Sequence, residues 1–140
     1  MGFKHILVPF EGGLLSEETL RMACQLAQDG NRITAVHVVS TPLHEPIGAE
    51  KLQLAAAEET LRRAKEIGLE SKAAVDTELV KAHQVAQGIV EAADNLGADV
   101  ILMSLRHAHT PEETMVLSHN ASRILRHAPC PVLMVYEPKD

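Results

Sequence analysis

Lys4-His5-Ile6-Leu7-Val8-Pro9-Phe10-Glu11-Gly12-Gly13 is the stretch on which the fold turns. It is a brief, β-rich apolar run closed by Glu11-Gly12-Gly13, a turn signal after a strand of the length that a parallel sheet buries on both faces. Just beyond it, Ser16 is placed to cap a helix whose first turn carries Glu17 and Glu18, acids that suit the positive end of a helix dipole. Leu20, Ala23, Cys24 and Ala27 then share one helical face, and Gly30 marks the stop. A buried strand running straight into an amphipathic helix is the opening half of a βαβ unit.

The same alternation continues outward. Ile33 to Val39 is a second β-branched run, ended by Thr41-Pro42 and the irregular stretch Leu43 to Gly48. Glu50 to Ile67 has helical spacing, with Glu58 before Arg62 and Glu59 before Arg63 as acid-before-base pairs four apart. Ser71 to Val80 is a third strand, more polar and weaker in alternation, as suits a position towards a sheet edge. A helix from Gln84 to Leu96 turns through Gly97-Ala98-Asp99 into the apolar strand Val100 to Ser104. Ala121 to His127 forms the last helix, and after Pro129-Cys130-Pro131 the fifth strand is Val132 to Tyr136. Parallel neighbours need right-handed helical crossovers that cover both faces of the sheet. The order therefore predicts one α/β domain over residues 1–140: a doubly wound, Rossmann-like, five-stranded parallel sheet with strand order 3-2-1-4-5.

Composition narrows the function classes. The chain has 140 residues, 46% of them hydrophobic, which fits one compact domain and leaves no room for a second. With 13 basic residues against 19 acidic ones, a net charge of -6 and 2% aromatics, it is poorly equipped to grip a phosphate backbone or stack bases, so nucleic acid is not expected as a partner. No apolar run approaches the roughly 20 residues that cross a bilayer. Met1-Gly2-Phe3-Lys4-His5 leads into a strand instead of a signal peptide, so the expected location is the cytoplasm. Cys24 and Cys130 lie in apolar stretches without Cys-x-x-Cys spacing and read as small buried hydrophobes.

In a doubly wound sheet, ligands bind beyond the carboxyl ends of the strands. Those ends are Phe10-Glu11-Gly12-Gly13, Val39-Ser40-Thr41 and Met103-Ser104-Leu105-Arg106. Four segments, Ile6 to Gly13, Ala35-Val36-His37-Val38-Val39, Ala98 to Met103 and Leu125 to Val135, together resemble the universal stress protein family over the whole chain, the closing segment being the most specific. Many members of that family bind ATP through Gly-x-x-Gly, nine residues, then Gly followed by Ser or Thr. Glycine lets backbone N–H groups approach phosphate oxygens, and the final pair opens a helix whose N-terminus favours an anion. Here Ser104 and His107 stand at the first two glycine positions, and Ser118 and His119 at the closing pair, with the gap one residue too long. Glu112 and Glu113 put like charge where phosphates would lie, and Glu11 replaces the usual Asp after strand one.

The resemblance implies that Pro9, Phe10, Val38 and Met103 still shape an adenine slot while the phosphate cradle is lost. The expected function is a small stress-response protein, a dimeric interaction or signalling module that meets an as yet unidentified protein partner, needs no cofactor and does not take ATP in the family's usual manner. A second reading is an adenine nucleotide sensor for AMP, cyclic AMP or ATP, with altered phosphate contacts from Arg106 or His107; Ser104, Ser118 and Asn120 are anion contacts on that reading and ordinary capping or turn residues on the other. A third is a metal site in the segment His107 to His119, where His107, His109, His119, Glu112 and Glu113 gather; the spacing is not that of a zinc site, and no metal is expected. His37 and His127 read as packing and hydrogen-bonding residues. No nucleophile elbow or Gly-x-x-x-x-Gly-Lys loop is present, so no enzyme is expected, slow nucleotide hydrolysis being left open. Val132-Leu133-Met134-Val135-Tyr136 has neither charge nor proline to blunt an edge, which predicts a homodimer through this strand, as the resemblance also implies.

Overall fold

The computed structural model describes residues 3–27, 30–41, 49–105 and 111–136, with residues 49–50 and 111–118 described by their backbone. The elements are β1 (His5–Pro9), α1 (Leu14–Leu26), β2 (Arg32–Ser40), α2 (Ala49–Glu70), β3 (Val75–Ala82), α3 (Val85–Leu96), β4 (Val100–Leu105), α4 (Pro111–His127) and β5 (Val132–Tyr136). All five strands are parallel, in the order β3-β2-β1-β4-β5. This is the predicted doubly wound sheet, with the more polar β3 at one edge and β5 at the other.

Side-chain alternation along the strands divides the core in two. Ile6, Val8 and Phe10 point to one face with Ile33, Ala35, Val100 and Leu102, where Leu20 and Ala23 of α1 and Leu61, Ala64 and Ile67 of α2 cover them. Leu7, Val36, Ile101 and Met103 point to the other, under Ala86, Ile89 and Ala92 of α3 and Ala121 and Ile124 of α4. Each large side chain buried there contributes about 1.5–3 kcal/mol. At the amino edge of the sheet Asp99 ties β1 to β4: its carboxylate accepts hydrogen bonds from the N–H groups of Lys4 (2.8 Å) and His5 (3.0 Å), while its own N–H donates to the His5 carbonyl.

Several boundaries differ from expectation. Ser16 does not cap α1: Gly13 holds the cap position without a side-chain bond, and Leu14 begins the helix. Helix α1 also closes at Leu26, short of Gly30. Gly68 does not end α2, which runs on to Glu70; a Cβ at Gly68 would lie 2.7 Å from Val75 Cγ2, so glycine serves there to let the helix approach β3. The turn at Ser71-Lys72 then delays β3 to Val75. Arg62 pairs with Glu59 (2.6 Å), and Arg63 with Glu17, Glu66 and Glu70, in place of the expected pairs four apart; Arg63 and Arg21 thereby link α2 to α1.

The largest departure is α4, which begins at Pro111 and not at Ala121. Proline at the first helical position loses no hydrogen bond, and its fixed backbone torsion suits the start of a helix. The segment expected to be a phosphate-facing or histidine-bearing loop is thus helical from Pro111 onward.

Candidate functional site

Helices leave β1 and β4 towards opposite faces of the sheet, so the chain parts between these two neighbouring strands at their carboxyl ends. A cavity of about 310 Å³ lies there. Pro9 and Glu11 reach it from the end of β1, Met103 and Ser104 from β4, and Asn120 from α4, all five expected from the sequence.

The α1 side of the rim is backbone. Gly12 and Gly13 both adopt positive φ, +91° and +89°, a conformation that other residues resist, and they deliver the chain from β1 into α1. Leu15 and Ser16 of the first turn of α1 line the cavity, and no side chain caps that helix end. First-turn N–H groups without intrahelical acceptors therefore border the cavity, a weak anion-favouring pole. Ser16 Oγ instead receives a long hydrogen bond from the Glu11 N–H, 3.4 Å. Glu11 itself is exposed and is the one charged side chain among the described lining residues; Arg, Lys and His are absent from that described wall. The remaining walls are apolar: Val85 and Ile89 of α3, Ala121 and Ile124 of α4. The cavity thus joins apolar side chains on its α3 and α4 walls to backbone and hydroxyl groups on its α1 rim.

Other expected site residues fall elsewhere. Phe10 is fully buried among the α1 and α2 side chains and does not line the cavity, because consecutive residues at the strand end point to opposite faces and Pro9 takes the cavity side. Val38 is one strand away, packed under α3, where Gly88 lies against its methyl groups. Ser118 sits within α4 and not at its start, so its backbone is committed to the helix and cannot open an anion site there. His119 is exposed on the same helix. Arg106, His107 and His109 lie outside the described residues. Among the described residues no three metal-ligating side chains converge.

His37 is a positioning group. Its Nδ1 is 2.9 Å from the Phe10 carbonyl, and since a carbonyl only accepts, this nitrogen carries the proton and fixes the end of β1 against β2. Cys24 and Cys130 are free and half-buried, and burial pushes both thiols up, which disfavours the reactive thiolate. The lining residues that sequence reasoning missed, Leu15, Val85, Ile89 and Ile124 among them, carry the same apolar periodicity as core positions. Only the Gly12-Gly13 pair held a local signal.

At the sheet edge, β5 pairs with β4 alone among the described strands. Val132 and Met134 pack on the α3–α4 side and Val135 on the α1–α2 side, whereas Leu133 (39% exposed) and Tyr136 (54%) face outward. No described helix is long and apolar enough to cross a membrane.

The model of the "Universal stress protein family" matches residues 2–136. Universal stress protein G of Shigella flexneri is 32% identical over 143 residues, spanning 95% of this chain and 99% of that protein. A universal stress protein family structure from Burkholderia pseudomallei superposes with a TM-score of 0.74 at 30% identity, covering 95% of this chain and 96% of the other. The fold is shared with the universal stress protein of Archaeoglobus fulgidus solved in complex with dAMP, TM-score 0.72 at 19% identity, over 95% of this chain and 97% of that one.

Proposed function

Because the chain belongs to the universal stress protein family, we propose that it is a dimeric, cytoplasmic stress-response module that works through protein contacts and does not take ATP in that family's usual manner. The observation that carries this reading is the described cavity wall: one carboxylate, Glu11, and no cationic side chain. A triphosphate brought within about 4 Å of that carboxylate meets a repulsion of roughly 1–4 kcal/mol per charge. The position matching the family's closing glycine, Ser118, adds no compensating N–H groups from inside α4. The unblunted edge of β5, with Leu133 and Tyr136 outward, supports a second copy pairing there about a two-fold axis.

The cavity itself favours a second reading, an adenine nucleotide of low phosphate content such as AMP or cyclic AMP. The apolar walls accept a base, and the Gly12-Gly13 turn with the uncapped start of α1 suits a single phosphate better than three. A thermal-shift titration separates the readings. A ligand at a hundred times its Kd adds roughly 2.7 kcal/mol, or about 10 °C at about 4 °C per kcal/mol for a domain of this size. No shift with magnesium ATP is expected on either reading, and a shift with AMP or cyclic AMP selects the second. A full shift with magnesium ATP overturns both.

A further inference from the structure

The outer surface of the helix pair that walls the cavity holds a second feature. Val85 and Ile89 of α3 and Ile124 of α4 turn to the cavity, whereas their neighbours in sequence, Ala86, Val90 and Arg123, about 100° further round each helix, line a separate open groove of about 370 Å³ between α3 and α4. Arg126 and His127 complete its α4 wall, and Gln87 and Glu91 its α3 wall.

Two arginines and a histidine set the charge of this groove. Arg21, Arg32, Arg62 and Arg63 each lie within ion-pair distance of a carboxylate. Arg123 and Arg126 make no such pair among the described residues, in a chain of net charge -6. The negative end of α4 accounts for Arg126 and His127 in its last turn. It does not account for Arg123, a turn earlier. The floor is apolar, Ala86 buried and Val90 half-buried. Glu91 accepts a hydrogen bond from Gln87 Nε2 at 3.1 Å, which holds it to its own helix.

We propose that the groove between α3 and α4 docks an acidic segment of a partner protein, with carboxylates on Arg123 and Arg126 and an apolar side chain over Ala86 and Val90. Guanidinium forks match carboxylates in bidentate geometry. The apolar floor and the Glu91 carboxylate on the opposite wall favour a peptide with spaced charges over a compact polyphosphate, whose charge would reach Glu91 as well. The surface is distinct from the cavity between β1 and β4, so failure here leaves the reading of that cavity intact.

Fluorescence anisotropy with a fluorescein-labelled peptide of alternating Glu and Leu, on the full chain, tests this. Saturable binding that weakens with salt is expected, falling about tenfold or more when Arg123→Glu and Arg126→Glu are combined. Circular dichroism checks the fold, and the doubly reversed variant should instead bind the matching Lys-Leu peptide. Equal binding by unmodified and reversed proteins overturns the proposal. So does tighter displacement of the peptide by inorganic tripolyphosphate or a single-stranded RNA, which would make the groove a phosphate site. Light scattering that shows charge reversal splitting a dimer also overturns it, since the groove would then be a contact between copies of this chain.

Discussion

Replacing Gly88 by alanine tests how α3 is held against the sheet. A Cβ at residue 88 would lie 2.8 Å from Val38 Cγ1, 3.0 Å from Val38 Cγ2 and 3.3 Å from Ala82 Cβ. Valine on a strand has one stiff torsion and cannot swing aside cheaply, so the overpacking cost falls near the upper part of the usual range of about 1–3 kcal/mol. The gain in helix propensity from Gly to Ala, about 1 kcal/mol, offsets part of it. The expected net loss is about 2 kcal/mol, or about 8 °C in Tm. Val38→Ala alone, removing two methyl groups from a half-buried position, costs about 1 kcal/mol. The double variant should lie close to the unmodified protein, because the added methyl occupies the space the valine vacates. Urea unfolding followed by circular dichroism gives all four corners of the cycle, and a coupling of about 3 kcal/mol is expected. A Gly88→Ala protein more stable than the parent, or losses that simply add, would refute the close approach of α3 to β2. The same variant should weaken any ligand of the cavity, since lifting α3 moves Val85 and Ile89 away from its wall.

Two further outcomes follow from the packing. The buried His5 ring, with Nε2 2.8 Å from Thr34 Oγ1, is held below its ordinary value of 6.5 first by burial and then by the Arg32 charge; the unfolded chain therefore takes up that proton first as pH falls, and the stability contribution is complete above 6.5 and lost below it. Comparing urea midpoints at about pH 7.5 and about pH 5.5 should show a smaller fall for His5→Gln than for the parent, and an equal fall would sink the assignment. At the β5 edge, Leu133→Lys is the informative charge, since Met134 and Val135 are committed to the two cores; light scattering should change from twice the chain mass to the chain mass, and a monomeric parent would show the edge is protected otherwise.

The legibility of these features in the sequence tracks how local their causes are. Val132–Tyr136 is legible to the residue because proline brackets it on one side and the run has no polar interruption. The α4 start is not legible because residues 111–120 carry Thr, Ser and Asn among few apolar positions, so no helical stripe announces them; the helix opens instead on a proline at its first position. The end of α2 falls at Glu70 and not at the expected Ile67, and the role of Gly68 depends on Val75, which a Cβ at residue 68 would meet at 2.7 Å, a closeness invisible before β3 is placed.

The candidate site divides along the same line. That a crevice opens between β1 and β4 follows from the order of elements alone, since the chain must leave neighbouring strands in opposite directions. The residues that line it do not follow from order. Pro9 and Phe10 are adjacent and both apolar, yet a strand sends one to the cavity and the other to the core, and the assignment requires knowing which face α3 covers. Val85 and Ile89 obey the same helical period as Ala86 and Val90, and only the arrival of α4 makes one pair a cavity wall and the other a groove floor. Charge is legible in part: Glu11 is set at the end of β1 by the sequence, and it is the one charged side chain among the described lining residues.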